Sequence, residues 1–253
     1  MSIYHHFAPF YQRGQYLLFS QKLAQSVLPE YLALIDFHPI HLLDIACGEG
    51  SFAVAMAGAG YRVTGVDQSA EMIALARERA QDTDVEVVFA VEDMRSLQFS
   101  AEFDLATCFF DSLNYLLTVK DLQDAFRCAF AALRPGGYFI FDMNTIHGLA
   151  VNWMREKTYV QNEADDFIEY HRHEFDYENL VATIEITIFK KESDALWARI
   201  QETHRERGYP VADLQFLLNE TGFEIAGTYG SLSARSELQT TSPRVFFAAR
   251  KPS

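Results

Sequence analysis

The feature that most constrains this chain is the segment DIACGEG at residues 44–50. It closes a short apolar run, HLLDIA at 41–46, that reads as a buried strand, and it opens a helical pattern over 51–59. Gly48 and Gly50 stand at the strand-to-helix turn, where the lack of a Cβ lets backbone and ligand come close. Seventeen residues beyond Gly50, at the end of a second strand over 61–66, stands Asp67. A carboxylate in that position can accept hydrogen bonds from both hydroxyls of a ribose. A nucleoside-containing ligand is the natural inference.

The surrounding pattern supplies the sheet that such a turn requires. Further strands are expected at 85–90, 103–108 and 138–142, with helices at 69–80, capped by Ser69, and at 121–133, with Thr118 or Asp121 near its start. The sequence RPGG at 134–137 ends that last helix. Upstream, apolar residues at helical spacing (Tyr16, Leu17, Phe19, Leu23, Val27) predict one or two helices broken near Pro9 and Pro29. Strands alternating with helices specify an α/β fold, a doubly wound and mostly parallel seven-stranded sheet whose strands end at one edge. A ligand belongs there, where the strand order reverses.

After Thr145 the periodicity changes. Segments 167–177, 180–189 and 196–207 are strand-like, with turns at 176–179 and 191–194. They predict a three-stranded antiparallel β lid inserted at 145–207. The main domain is then 1–144 together with 208–253. Its last part holds a helix over 211–220 closed by Gly222 and final strands at 223–229 and 244–249.

Two cofactors fit the glycine turn. GEGSFA at 48–53 formally matches the dinucleotide fingerprint of nicotinamide enzymes, with an acid at about the right distance. Asp44 argues the other way. A carboxylate beside a diphosphate is unfavourable, whereas one beside an ammonium is favourable. A plain tight turn is the third reading.

Four segments together carry a family resemblance. LDIACGEG at 43–50 resembles the first motif of the class I S-adenosylmethionine (SAM)-dependent methyltransferases, and VTGVDQS at 63–69 the second. EDM at 92–94 is similar to their adenine-contacting segment, and LRPGG at 133–137 to the turn before their fifth strand. Ala46 departs from the pattern, since many members carry glycine there. The resemblance implies SAM as cofactor, with the methionine part bordered by Asp44, Ala46 and Gly48, and with Gly50 in the same cofactor-binding loop. Asp67 would take the ribose and Gln68 or Met72 would cover the adenine. Asp93 and Met94 would contact its amino edge, and Phe109 and Phe110 would lie near the methyl end. A non-catalytic SAM-binding protein stands as an alternative.

Weaker similarity to amino-sugar N-methyltransferases and glycine N-methyltransferase-like proteins rests on FAPFY at 7–11, FFDSLNYL at 109–116 and ETHR at 202–205. It implies a small-molecule methyl acceptor, an amine ahead of a hydroxyl or acid. An amine attacks only when neutral, so a base is needed beside it. The candidates are Tyr115 and His204, with Tyr11 closing over both site and cofactor. Each has a plainer reading: the tyrosines as packing, His204 as a surface residue, and Asp111 as a turn cap. His5, His6, His171 and His173 could suggest a metal, but without a third ligand at recognisable spacing the second pair reads as a solvated strand and no metal is expected.

Charge narrows the partners. The net charge of −14 offers no basic footprint for nucleic acid. No run nears the ~20 apolar residues of a membrane span, and the start carries no signal-peptide pattern. Three scattered cysteines fit a reducing, cytoplasmic setting. A homodimer is compatible with this reading. Residues 146–206 carry thirteen acidic against seven basic side chains, a field that favours cationic acceptors.

Overall fold

A computed structural model describes residue 4 and residues 7–11, 16–233 and 235–253. His5 and His6 lie outside the described residues, as do the side chains of residues 16 and 17.

The chain opens with a single helical turn, α1 (Ala8–Tyr11), and then α2 (Tyr16–Lys22) and α3 (Leu28–Leu34). The expected break at Pro29 does not occur. A wider π turn at Leu23–Val27 joins α2 to α3 and places Pro29 in the first turn of α3. The bond that the missing N–H of Pro29 would make is forgone, and the widened turn relieves its ring.

The main sheet follows. Its strands are β1 (His41–Ile45), β2 (Arg62–Asp67), β3 (Val87–Val91), β4 (Phe103–Cys108) and β5 (Leu133–Asn144). Between them run α4 (Ser51–Gly58), α5 (Ala70–Thr83) and α6 (Val119–Ala132). Ser69 caps α5 by accepting from the Met72 N–H, and Thr118 caps α6 by accepting from that of Asp121. β5 begins at Leu133 rather than at 138. Leu133 already pairs with Phe103, and a register shift absorbs the RPGG segment inside the strand.

A second sheet interrupts the first. It is four-stranded and antiparallel, built from β6 (Thr158–Ala164), β7 (Phe167–Asp176), β8 (Val181–Ser193) and β9 (Leu196–Arg207) in that spatial order. The three-stranded expectation is therefore one strand short. β6 was hidden because TYVQNEA mixes polar and apolar residues without alternation, and its pairing with β7 is broken by a bulge after Val160. The chain returns through α7 (Val211–Thr221), β10 (Glu224–Ser231), the two-residue β11 (Ser236–Glu237) and β12 (Arg244–Arg250). Gly222 ends α7 with φ +106°.

The main sheet has eight strands rather than the expected seven, the two-residue β11 being the extra one, in the order β11-β10-β12-β5-β4-β1-β2-β3. β1 to β5 are mutually parallel; β12 runs antiparallel to β5, and β10, antiparallel to β12, runs in the direction of β1 to β5 again. The order reverses between β1 and β4, which opens the crevice at their carboxyl ends. Both faces are buried. Phe139, Phe141 and Phe247 pack with Phe126 of α6 and Leu218 of α7 on one face. Leu42, Leu105 and Ile140 pack with Leu28 of α3, Met56 of α4 and Ile73 of α5 on the other. A third, smaller core joins Phe7 and Phe10 to Phe167, Ile186 and Ile188 of the second sheet. The N-terminal turn is thereby fastened to the inserted sheet.

Candidate active site

The site is assembled where β1, β2 and β4 end. Cys47 donates its N–H to the Val66 carbonyl at 3.0 Å, which folds the glycine loop over the end of β2. Asp67 fixes the same loop. One carboxylate oxygen accepts from the Gly48 N–H at 2.9 Å and the other from the Ser69 N–H at 2.8 Å. Burial raises its pKa, and those two N–H groups hold it down. The two glycines do different work. A Cβ on Gly48 would meet nothing within 4 Å, so its α-carbon faces open space. A Cβ on Gly50 would lie 2.8 Å from that of Ala76, so the close approach there is made by α5. Ala46 sits at φ +57°, a left-handed conformation that an alanine adopts at a cost and a glycine without one.

Asp44 is 3% exposed at the base of the loop. Thr107 donates to its Oδ1 at 3.0 Å, while Oδ2 is buried with no hydrogen-bond partner among the described residues. Burial, with Asp67 and Glu49 nearby, pushes its pKa up to about 8, against the pull of Thr107. An acceptor of this kind suits a cationic ligand group and repels a phosphate.

Three cavities meet at Tyr4. A narrow one of about 70 Å³ lies against Asp44, Gly48, Met72, Phe109 and Phe110. The next, about 430 Å³, runs along Ala46, Asp67, Gln68, Asp93 and Met94. Asp93 is engaged there by Arg95, whose N–H and Nε both lie 2.9 Å from Oδ1, and this pairing lowers the carboxyl's pKa. The largest, about 470 Å³, lies between the sheet edge and the inserted sheet, with Tyr11, Phe110, Tyr115, His204 and Glu206 among its walls.

In this last cavity the structure brings two of the sequence candidates into contact. His204 is 2% exposed, so the surface reading is overturned. Its Nδ1 lies 2.9 Å from the Tyr115 hydroxyl and its Nε2 lies 2.8 Å from Glu202 Oε1. Beyond them the Tyr4 and Tyr115 hydroxyls are 3.1 Å apart. Glu202 also accepts from the backbone N–H groups of Tyr4 and Phe7, which holds the N-terminal turn over the cavity. Tyr11 meets Tyr4 edge to face at 5.8 Å. Burial raises the pKa of Tyr4, Tyr11 and Tyr115.

Asp111 is no turn cap. Its carboxylate pairs with Arg244 at 3.0 Å and accepts from Asn144 Nδ2 at 2.9 Å, and Glu206 shares that same Asn144 donor at 2.9 Å. Burial, and then Asp111, push the Glu206 carboxyl's pKa upward. Arg244 also pairs with Asp142, which in turn accepts from the Phe110 N–H at 2.8 Å. This network holds Phe110 and Asp111 at φ +62° and +53° at the end of β4. His171 and His173 are buried on the inner face of the inserted sheet, which corrects the solvated reading. Glu202 and Glu206 were missed, although E-x-H-x-E at 202–206 is a period-two polar face and marks one side of a strand. Among the described residues, no group of three His, Cys, Asp or Glu side chains is arranged to hold a metal ion.

Comparison with known proteins agrees with this geometry. A family model described as a methyltransferase domain matches residues 42–137. The Bacillus subtilis protein named "Putative methyltransferase YqeM" is 30% identical over 211 residues, 83% of each chain. Two solved structures share the fold. A SAM-dependent methyltransferase from Clostridium acetobutylicum has a TM-score of 0.84 at 23% identity over the whole of both chains. The sugar N-methyltransferase KedS8 from Streptoalloteichus has a TM-score of 0.78 at 18% identity, covering 100% of this chain and 97% of its own. The chain belongs to the class I SAM-dependent methyltransferases. It is an enzyme, its cofactor is SAM, and the nicotinamide reading of the glycine turn is set aside.

Proposed function

We propose that this enzyme methylates a nitrogen of a small-molecule amine held in the 470 Å³ cavity between the sheet edge and the inserted sheet. The observation that carries the reading is the chain Tyr4–Tyr115–His204–Glu202, a buried proton path that ends on a carboxylate. The fold shared with KedS8, a sugar N-methyltransferase, supports a small-molecule acceptor.

When bound, SAM supplies a methyl group on a positively charged sulfur. Asp44 receives the ammonium of its methionine part on the unpartnered Oδ2, and Asp67 takes the ribose hydroxyls on the lone pairs its two N–H donors leave over. Gln68 and Met72 flank the adenine. The Met94 backbone reads its amino edge, since the Asp93 carboxylate is taken up by Arg95. Phe109 and Phe110 shape the methyl end.

Glu202 accepts the Nε2 proton of His204, so Nδ1 is the bare nitrogen and takes the Tyr115 hydroxyl proton. The N–C bond would form as the methyl–sulfur bond breaks, with S-adenosylhomocysteine leaving as the neutral thioether; the amine's surplus proton then goes to the Tyr115 oxygen, while Tyr115 passes its own to Nδ1. Glu202 then faces an imidazolium. Tyr4 orients Tyr115, and Tyr11 closes the wall. The inserted sheet acts as a lid that excludes water and aligns the amine, the positioning that lowers such a barrier most. A cytoplasmic setting belongs to the same reading, supported by free Cys47, Cys108 and Cys128.

A screen for S-adenosylhomocysteine release over small amines, phenols and carboxylates tests this. Amine turnover is expected. Tyr115→Phe and His204→Gln should each lower kcat by about 10²–10⁴-fold, the usual share of general base catalysis, with SAM affinity unchanged. Turnover of phenols or carboxylates with no amine methylated would overturn it.

A further inference from the structure

The lid end of the large cavity contains two buried acceptor atoms without partners among the described residues. His173 is 5% exposed, and its Nδ1 lies 3.0 Å from the Trp153 carbonyl oxygen. A carbonyl only accepts, so Nδ1 carries the proton, and Nε2 of the neutral ring presents a lone pair. Burial keeps the ring below its ordinary pKa, with His171 adding to this and the Trp153 carbonyl opposing it. Nε2 is buried and unpartnered, and so is Oδ1 of Asn152, the residue next to Trp153. Both side chains line the cavity.

The neighbours do not supply the missing donors. Trp153 and Tyr159 each have their ring centroid 5.4 Å from that of His173, the first tilted and the second edge to face, and neither hydrogen-bonds to Nε2. The titratable wall includes the acids Asp111, Glu156 and Glu206, against the single guanidinium of Arg155, which is exposed. Buried acceptors are satisfied by donors, so a ligand that fills this end must bring O–H or N–H groups. A carboxylate or phosphate would set acceptor against acceptor.

We propose that His173 Nε2 and Asn152 Oδ1 form a subsite that receives hydroxyl or N–H donors on the body of the methyl acceptor, which is therefore a polyhydroxylated amine rather than an anionic one. This rests on the amine reading above. The aromatic faces of Trp153 and Tyr159 flank the C–H side of such a molecule, while its reacting nitrogen points toward Tyr115.

The test uses the full chain, SAM and four probe classes: amino sugars with free hydroxyls, their O-methyl ethers, amino carboxylates, and polyhydroxylated phenols with their partial ethers. For wild type, masking the hydroxyls of an amino sugar should lower kcat/KM about tenfold, the scale of one hydrogen bond. His173→Phe should raise KM about tenfold on the free-hydroxyl sugar with kcat kept, and change nothing on the ether. Asn152→Leu should do the same independently, which covers the case of one variant folding poorly. SAM affinity by calorimetry should match wild type in both. Equal turnover of sugar and ether by wild type, or a preference for amino carboxylates, overturns the subsite and leaves the amine reading standing. Turnover of phenols alone overturns the amine reading. The phenol and ether pair, run through His173→Phe, then decides the subsite separately.

Discussion

Asp44 is the residue on which the cofactor end of the site turns. Burial, and then nearby Asp67 and Glu49, push its carboxyl's pKa up to about 8. The unfolded chain gives up that proton near pH 4. Between these values the folded state holds more protons than the unfolded one, so stability from this group falls as pH rises from about 4 to about 8. On the proposed assignment of Asp44, SAM binding should run the opposite way, because an ammonium pairs with the ionised form. Calorimetry should therefore show wild-type affinity rising from pH 6 and levelling near pH 8, where an α-amino group itself titrates. Asp44→Asn should bind more weakly and lose that rise, and its melting temperature should fall less than that of wild type over the same interval. A wild-type affinity flat from pH 6 to 8 would contradict the assignment. The sequence suggested a cation partner for Asp44, but not that one carboxylate oxygen would be left bare, since that depends on Thr107 of the neighbouring strand.

At the scale of elements, legibility followed periodicity. The run over 103–108 reads as a strand and is one, because β4 is buried along nearly its whole length. The lid strands were harder. β7 and β9 turn Glu169, His171, His173, His204 and Glu206 inward, and a polar inner face resembles a solvated one in sequence. Burial distinguishes them: beside β9 by the N-terminal turn, through contacts that span nearly two hundred residues, and beside β7 by Trp153 and Tyr159. The root of the lid was legible only in the fold. Gly148 donates its N–H to Thr145 Oγ1 at 2.9 Å, and a Cβ there would lie 2.1 Å from the Pro243 carbonyl oxygen. Gly148→Ala should cost ~1–3 kcal/mol through overpacking, at about 2–4 °C per kcal/mol in a chain of this size. A thermal melt matching wild type would show that the lid root yields freely.

For the whole molecule the relevant quantity is charge. Several of the lid's acids are tied in exposed pairs, such as Arg172 with Glu174 and Lys190 with Glu192. Pairs of that kind add little stability. The surplus of acid over residues 146–206 remains as a net negative field on the inserted segment. For a cationic acceptor, kcat/KM should fall as ionic strength is raised from about 0.01 M to about 1 M, where the Debye length shrinks from ~30 Å to ~3 Å. A neutral acceptor of the same shape should show little change, and equal salt response for the two would exclude steering. The class of fold was readable because the glycine turn, the acid after β2 and the strand–helix alternation all agree. The acceptor's identity was not, since its cavity is built from the N-terminal turn, β4 and the lid together.

The most direct measurement of the central claim is the fate of the methyl group. The enzyme is incubated with SAM carrying a ¹³C-labelled methyl and a small-molecule cell extract, and the product is read by NMR. The account predicts label in an N-methyl group of a small amine, lost in His204→Gln. Label found on oxygen or carbon, or on no small molecule at all, would contradict it.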